Sequence, residues 1–341
     1  GNDVIEYVMD VEAAIKETKA YISSKKLSPE DIELKCRKIL ALKYWSGLNR
    51  INSVSPINIE SDLSPSANKA LIIDLYSNAL TVLNNNQNVI PVKNFENIRI
   101  ATVGINSDKI TSFQERLTKY HPADHFIINT SDSSASVRLL KKLSGYNLVI
   151  AGVFGLDQRP DMEFGITSDL VEFISHLTAK NKTIITWFGN PYGIAKINSV
   201  ENADGLVLAY QGNKYTEDLS AQLIFGGIGA RGALPVTINE KWPLNYGINT
   251  PGNIRLKYEI AENAGLSSEI LERKIDSVAN AGLNARAYPG CEVMVARKGT
   301  VVFRKSYGYQ TYDNRSTVTE DDLYDLSSVS KVTGSLPGFM L

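Results

Sequence analysis

Four residues near the end of this 341-residue chain, Ser328-Val329-Ser330-Lys331, place a hydroxyl three positions before an amine. On a helix that spacing puts both side chains on one face, one turn apart. A serine hydroxyl is a poor nucleophile until a base takes its proton. A lysine desolvated in a cleft loses its own proton more easily, which suits it to that role. Ser328 and Lys331 are therefore candidates for nucleophile and base, with a plain helix serine beside a surface lysine as the alternative. A second set, Asp157, Arg159, Asp161 and Glu163, follows the apolar run "NLVIAGVFG". Open parallel sheets bind ligands outside the carboxyl ends of their strands. Asp157 and Arg159 are the ligand-binding candidates there, and solvated loop charges are the competing reading.

Other motifs carry less. Gly227-Ile228-Gly229-Ala230-Arg231-Gly232 spells G-x-G-x-x-G. Dinucleotide binding needs those glycines between a strand and the start of a helix, where the phosphate meets the positive dipole end. Here the helical pattern "TEDLSAQLI" comes first and the apparent strand "ALPVTI" second, so the motif is read as a tight helix exit and no cofactor is expected. His121 and His125 are four apart, but Pro122 between them works against a shared helical face; they read as loop and strand residues. With His176 and the two distant cysteines they form no metal-ligand pattern, and no metal is expected. Cys36 and Cys291 read as buried thiols, too few for a disulfide framework.

Composition sets wider bounds. With 43% hydrophobic and 21% charged residues, the chain can build a real core. Its length suggests two or three domains. A formal net charge of -1 gives no basic excess for nucleic acid and no acidic solvating tail. No apolar run reaches about eighteen residues, so no membrane span is expected. No basic region followed by an apolar core opens the chain, so no signal peptide is read.

The elements that must position these residues follow from periodicity. Residues 11–25 form an apolar stripe through Val11, Ala14, Ile15, Thr18 and Ile22. A second helix starts with Ser28 as cap and Pro29 at its first position, and Gly47 is placed to end it. Its apolar face is Ile32, Cys36, Ile39 and Leu40. Residues 49–66 have no period and two prolines, which reads as a linker. A helix is predicted over roughly 67–83. From residue 97 near-continuous apolar strands alternate with amphipathic helices, the pattern of a mostly parallel sheet covered on both faces. After a linker at 251–265, a helix capped by Ser267 leads to a hairpin turning at Lys298-Gly299. The acidic stretch "TEDDLYDLSSVSK" then runs into a terminal helix.

Two resemblances join these pieces. "LSAQLIFGGIGARGALPVTI", "ANKALIIDLYSNALTVLNNNQNVIPV" and "GNDVIEYVMDVEAAI…IELKCRKILALKYWSGL" occur in the order seen in glycoside hydrolase family 3. Residues 67–250 resemble that family's C-terminal α/β sandwich, and residues 1–48 resemble the last helices of its catalytic barrel. The family's nucleophilic aspartate lies on the barrel, as does the aspartate–histidine acid/base pair of its N-acetylglucosaminidase branch. Glycoside hydrolysis needs two groups flanking one bond, and residues 1–250 offer no pair that can be assigned.

Residues 266–341 resemble the N-terminal portion of a serine β-lactamase-like, penicillin-recognising hydrolase. The resemblance rests on the Pro-Gly strand start, the glycine turn, the Gly-Tyr strand end and the acidic approach to S-x-x-K. It implies Ser328 as nucleophile and Lys331 as base. The family's two later motifs are missing: Tyr312-Asp313-Asn314 spells one, but precedes the serine. The expectation is an excised piece of a two-enzyme fusion: barrel-remnant helices, the sandwich, then a truncated α+β segment with an incomplete site. Its implied partners are the missing barrel and an amino-sugar or cell-wall glycan. A bacterial envelope or periplasmic setting is implied by the resemblance alone. A standalone α/β module binding a carbohydrate or small ligand is the alternative.

Overall fold

A computed structural model describes residues 2–50, 56–63 and 65–340. The chain divides into two units, residues 1–63 and 64–341. In the first, α1 (Val11–Ser23) begins at Asp10, whose side chain accepts from Ala13 N. Helix α2 (Pro29–Trp45) is capped by Ser28, which accepts from Asp31 N at 3.0 Å. Gly47 takes a positive φ just past its end. Neither helix has a buried residue. Ala14, Thr18 and Ile22 on α1 and Ile32 and Ile39 on α2 are half-buried. Cys36, expected to be buried, is exposed, because α2 has no layer packed over that position; Cys291 is half-buried. The predicted linker contains a short helix, α3 (Ile59–Leu63); residues 51–55 and 64 of that stretch lie outside the described residues.

The second unit is built on a six-stranded sheet. Helix α4 (Ser66–Ala79) precedes β1 (Thr81–Asn85), where a continuing helix was predicted. The helix stops because Leu80 turns extended. β-branched Thr81 and Val82 then favour a strand, and β1 pairs antiparallel with β6 (Gly205–Leu208). The strands between are β2 (Ile100–Ile105), β3 (Ala123–Ile128), β4 (Leu148–Val153) and β5 (Thr183–Trp187), all parallel, in the order β1-β6-β5-β4-β2-β3. Successive residues face opposite layers, as strand geometry requires. Val149, Ile185 and Leu206 meet one core with Leu139 and Leu143 of α6 (Ser133–Leu143) and Phe173, Ile174 and Leu177 of α7 (Ser168–Lys180). Ile150, Ile184 and Val207 meet the other core with Phe113 and Leu117 of α5 (Ser112–Thr118) and Leu223 and Phe225 of α9 (Lys214–Phe225). Between β5 and β6 lies the short helix α8 (Pro191–Ile194).

The glycine run after α9 is a packing device. A Cβ on Gly229 would collide with the Thr250 carbonyl, and one on Gly232 with the carbonyls of Ala79 and Leu80. Helix α9 does precede these glycines, but residues 233–238 are not the strand predicted. Pro235 offers no donor to a ladder. The segment is held instead by paired bonds of Leu234 with Tyr246 and Asn245, and by Ile238 N donating to Trp242 O. His125 lies in β3 and His121 in the loop before it.

Beyond the sandwich, β7 (Lys257–Tyr258) pairs with β9 (Thr300–Gly308), which pairs antiparallel with β8 (Gly290–Arg297). The hairpin turns at Lys298 and Gly299, both at positive φ, as a two-residue primed turn demands. Helix α10 (Ser268–Asn284), capped by Ser267, lies against it: Lys305 Nζ and Tyr307 Oη reach Asp276 at 2.9 and 2.6 Å. The expected terminal helix is broken. A 3₁₀ turn at Ser327–Val329 and a wide turn at Lys331–Ser335 precede α11 (Leu336–Met340). Among the described residues no helix is long and apolar enough to cross a membrane.

Candidate active site

The Ser328 hydroxyl is presented from a 3₁₀ turn. The Asp325 carboxylate fixes its start by accepting from Ser327 N at 2.9 Å, an Asx-type bond that aspartate favours at turns. The Ser330 hydroxyl donates to the Ser327 carbonyl. Lys331 then stands one turn on, and its Nζ donates to Ser328 Oγ at 2.9 Å. An acceptor at that distance is in place to exchange a proton with the amine. Both side chains are exposed, as are Leu326, Val329, Val332 and Leu336 around them.

Among the described residues Tyr312-Asp313-Asn314 makes no side-chain hydrogen bond to the pair. Tyr312 Oη donates to the Arg286 carbonyl at 2.8 Å, and Asp313 bonds Thr311 and Arg315 within its own turn. Among the described residues no further side chain joins Ser328 and Lys331 by a hydrogen bond.

Asp157 and Arg159 sit where expected, on the loop leaving β4. Arg159 Nε and Nη2 donate to the two Asp157 oxygens at 3.1 and 2.9 Å, and its backbone N–H adds a third bond at 2.9 Å. The guanidinium holds the Asp157 carboxyl down to about 2. Each charge is thus matched by the other. The loop is tied to the sheet's carboxyl edge through Asn190 Nδ2, which donates to the Gln158 carbonyl, and through buried Phe164. Glu163 pairs with Lys196 at 2.6 Å. Among the described residues no three His, Cys, Asp or Glu side chains are grouped to hold a metal.

A polar groove between α5, α9 and β9 was not legible beforehand. Arg116 Nε donates to Asp218 Oδ1 at 2.5 Å, and the guanidinium lies 4.0 Å from the Tyr258 ring. Asp218 Oδ2 accepts from Gln222 Nε2, whose amide also brackets the Tyr258 backbone. Arg116 and Asp218 are distant in sequence, on helices read only as amphipathic, so nothing but the topology joins them.

Residues 275–336 match the family model described as Beta-lactamase. That segment holds Ser328 and Lys331. No curated protein matches the chain. Among solved structures, a glycoside hydrolase family 3 β-N-acetylglucosaminidase from Paenibacillus sp. str. FPU-7 is similar at 16% identity and a TM-score of 0.48, over 67% of this chain and 43% of that one. A fungal multi-domain family 3 β-N-acetylglucosaminidase gives 17% and 0.46, over 82% and 30%. A β-glucosidase from Listeria innocua gives 15% and 0.49, over 66% and 34%. The chain spans less than half the length of each.

Proposed function

We propose that this chain is part of a bacterial hydrolase fusion, a family 3 glycosidase of the β-N-acetylhexosaminidase kind followed by a β-lactamase-like serine hydrolase. In this reading the parent protein acts on amino-sugar or cell-wall glycans. The sandwich is a scaffold for a catalytic barrel, and residues 1–48 are the barrel's last helices. Ser328 is the nucleophile and Lys331 its base. The observation that carries the hydrolase assignment is the 2.9 Å contact from Lys331 Nζ to Ser328 Oγ, inside the segment matched to the β-lactamase family. The glycosidase half is supported by the three ordered stretches of sequence resemblance.

These 341 residues supply the nucleophile and base without the rest of the site. In an acyl transfer the hydroxyl oxygen attacks a carbonyl, its proton passes to the amine, and the developing oxyanion needs fixed donors. Each missing oxyanion donor costs about a hundred- to a thousandfold in rate. The chain as it stands is therefore inactive. A chromogenic cephalosporin and nitrophenyl-N-acetylglucosaminide test this, with Ser328→Ala as control. Wild type and variant should both remain at background. Cephalosporin turnover that vanishes in Ser328→Ala would overturn the inactivity and establish a working site.

A further inference from the structure

The groove between α5, α9 and β9 is a cavity of about 550 Å³, within the usual range of small-ligand sites. Its charges are balanced. Arg116, Lys119, Lys214 and Arg304 line it beside Glu115, Asp218, Glu259 and Glu320. Most are matched in pairs: Arg116 with Asp218, and Lys119 with Glu320 at 3.2 Å. Glu259, its side chain 5% exposed, sits 2.8 Å from the Lys257 ammonium, a contact of charge rather than a directed hydrogen bond.

What remains unspent is informative. Among the described residues, the Tyr215 and Tyr258 hydroxyls and the Glu115 carboxylate make no hydrogen bond or ion pair, and the terminal nitrogens of Arg116, whose guanidinium is paired with Asp218 through Nε, make no hydrogen bond. Phenols both donate and accept, a guanidinium only donates and a carboxylate only accepts. The two tyrosines also bring aromatic surface. A second hollow at the end of β2, about 710 Å³ and lined by Asn106, Ser107 and Asp108, shares Ser112, Glu115 and Lys214 with the first. The two hollows adjoin along α5, giving room for a chain-like ligand.

We propose that this groove binds an uncharged, hydroxyl-rich chain, an oligosaccharide. Each sugar hydroxyl donates and accepts at once, which answers a mixed set of unspent donors and acceptors. A net-charged ligand would instead face like charges on either side. The site is separate from Ser328, and the inference does not depend on the serine reading.

Calorimetric titration of the full chain with chitotetraose and with maltotetraose tests it, with a sulfated tetrasaccharide and an uncharged octapeptide as comparators. At least one neutral sugar should bind saturably and more tightly than either comparator. Tyr215→Phe and Glu115→Gln, conservative changes whose folding a thermal melt verifies, should each weaken that binding roughly three- to tenfold, about one hydrogen bond apiece. No saturable heat from either neutral sugar at millimolar concentration would overturn the proposal. So would preference for the peptide or the sulfated sugar, or undiminished affinity in both variants. Cephalosporin turnover has no part in this readout.

Discussion

Lys331 Nζ donates to Ser328 Oγ at 2.9 Å across one turn, and both side chains stand in solvent. An exposed polar pair of this kind adds little to stability. Lys331→Met should change the unfolding free energy by no more than about 0.5 kcal/mol, the range of surface substitutions away from special features. Chemical denaturation measures it. A loss of several times that size would mean the pair is packed within the domain.

The Arg116–Asp218 pair should behave differently. It is three-quarters buried and braced by Gln222 and the Tyr258 ring. Charge-assisted hydrogen bonds contribute about 1.5–3 kcal/mol. Arg116→Met should cost an amount in that range, and a double-mutant cycle with Asp218→Asn should show coupling. Additive losses would contradict it.

Gly229 and Gly232 leave no space for a side chain beside the carbonyls they approach. Overpacking of this kind costs about 1–3 kcal/mol. Gly229→Ala and Gly232→Ala should each lower the melting temperature clearly, while Gly334→Ala, which meets nothing, should not.

His125 provides a pH signature. Burial lowers its pKa below the ordinary 6.5, against the raising influence of Glu115 and Asp124. Its Nδ1 contacts Thr102 Oγ1 at 2.6 Å. Between the lowered value and 6.5 the unfolded chain binds the proton and the folded chain does not. Stability contributed by this site is present above 6.5 and lost as pH falls through the lowered value. Melts from pH 7.5 to 5 should show a decline that is smaller in His125→Gln. Equal slopes for the two proteins would rule out this source.

Much of the sandwich was legible because its strands are buried on both faces. "NLVIAGVFG" and "TIITWFG" have no other stable home, and outside the sandwich Ser28 and Ser267 cap the helices that follow them as read. Strand β1 was missed because Leu80-Thr81-Val82-Leu83 extends the apolar pattern of α4. Apolar periodicity alone does not separate a short buried strand from a helix end. Residues 233–238 failed the other way: their strand-like letters describe burial, while Pro235 and the neighbouring loop decide the bonding. At the candidate site, S-x-x-K spacing carried over into geometry. The mutual neutralisation of Asp157 and Arg159 did not show, since it depends on the loop's turn.

The placement of β1 also bears on how the protein is made. Val82 and Leu83 are wholly buried, yet β1's partner in the sheet is β6, with Asn85 opposite Gly205. A ribosome emits the first strand long before the strand that shelters it. Throughout that interval the nascent chain carries an apolar segment with an unpaired edge, a ready substrate for chaperones or for a neighbouring polysome's product. Until residues 205–208 have themselves left the ribosome that edge has no partner, and their emergence is what lets β1 pair.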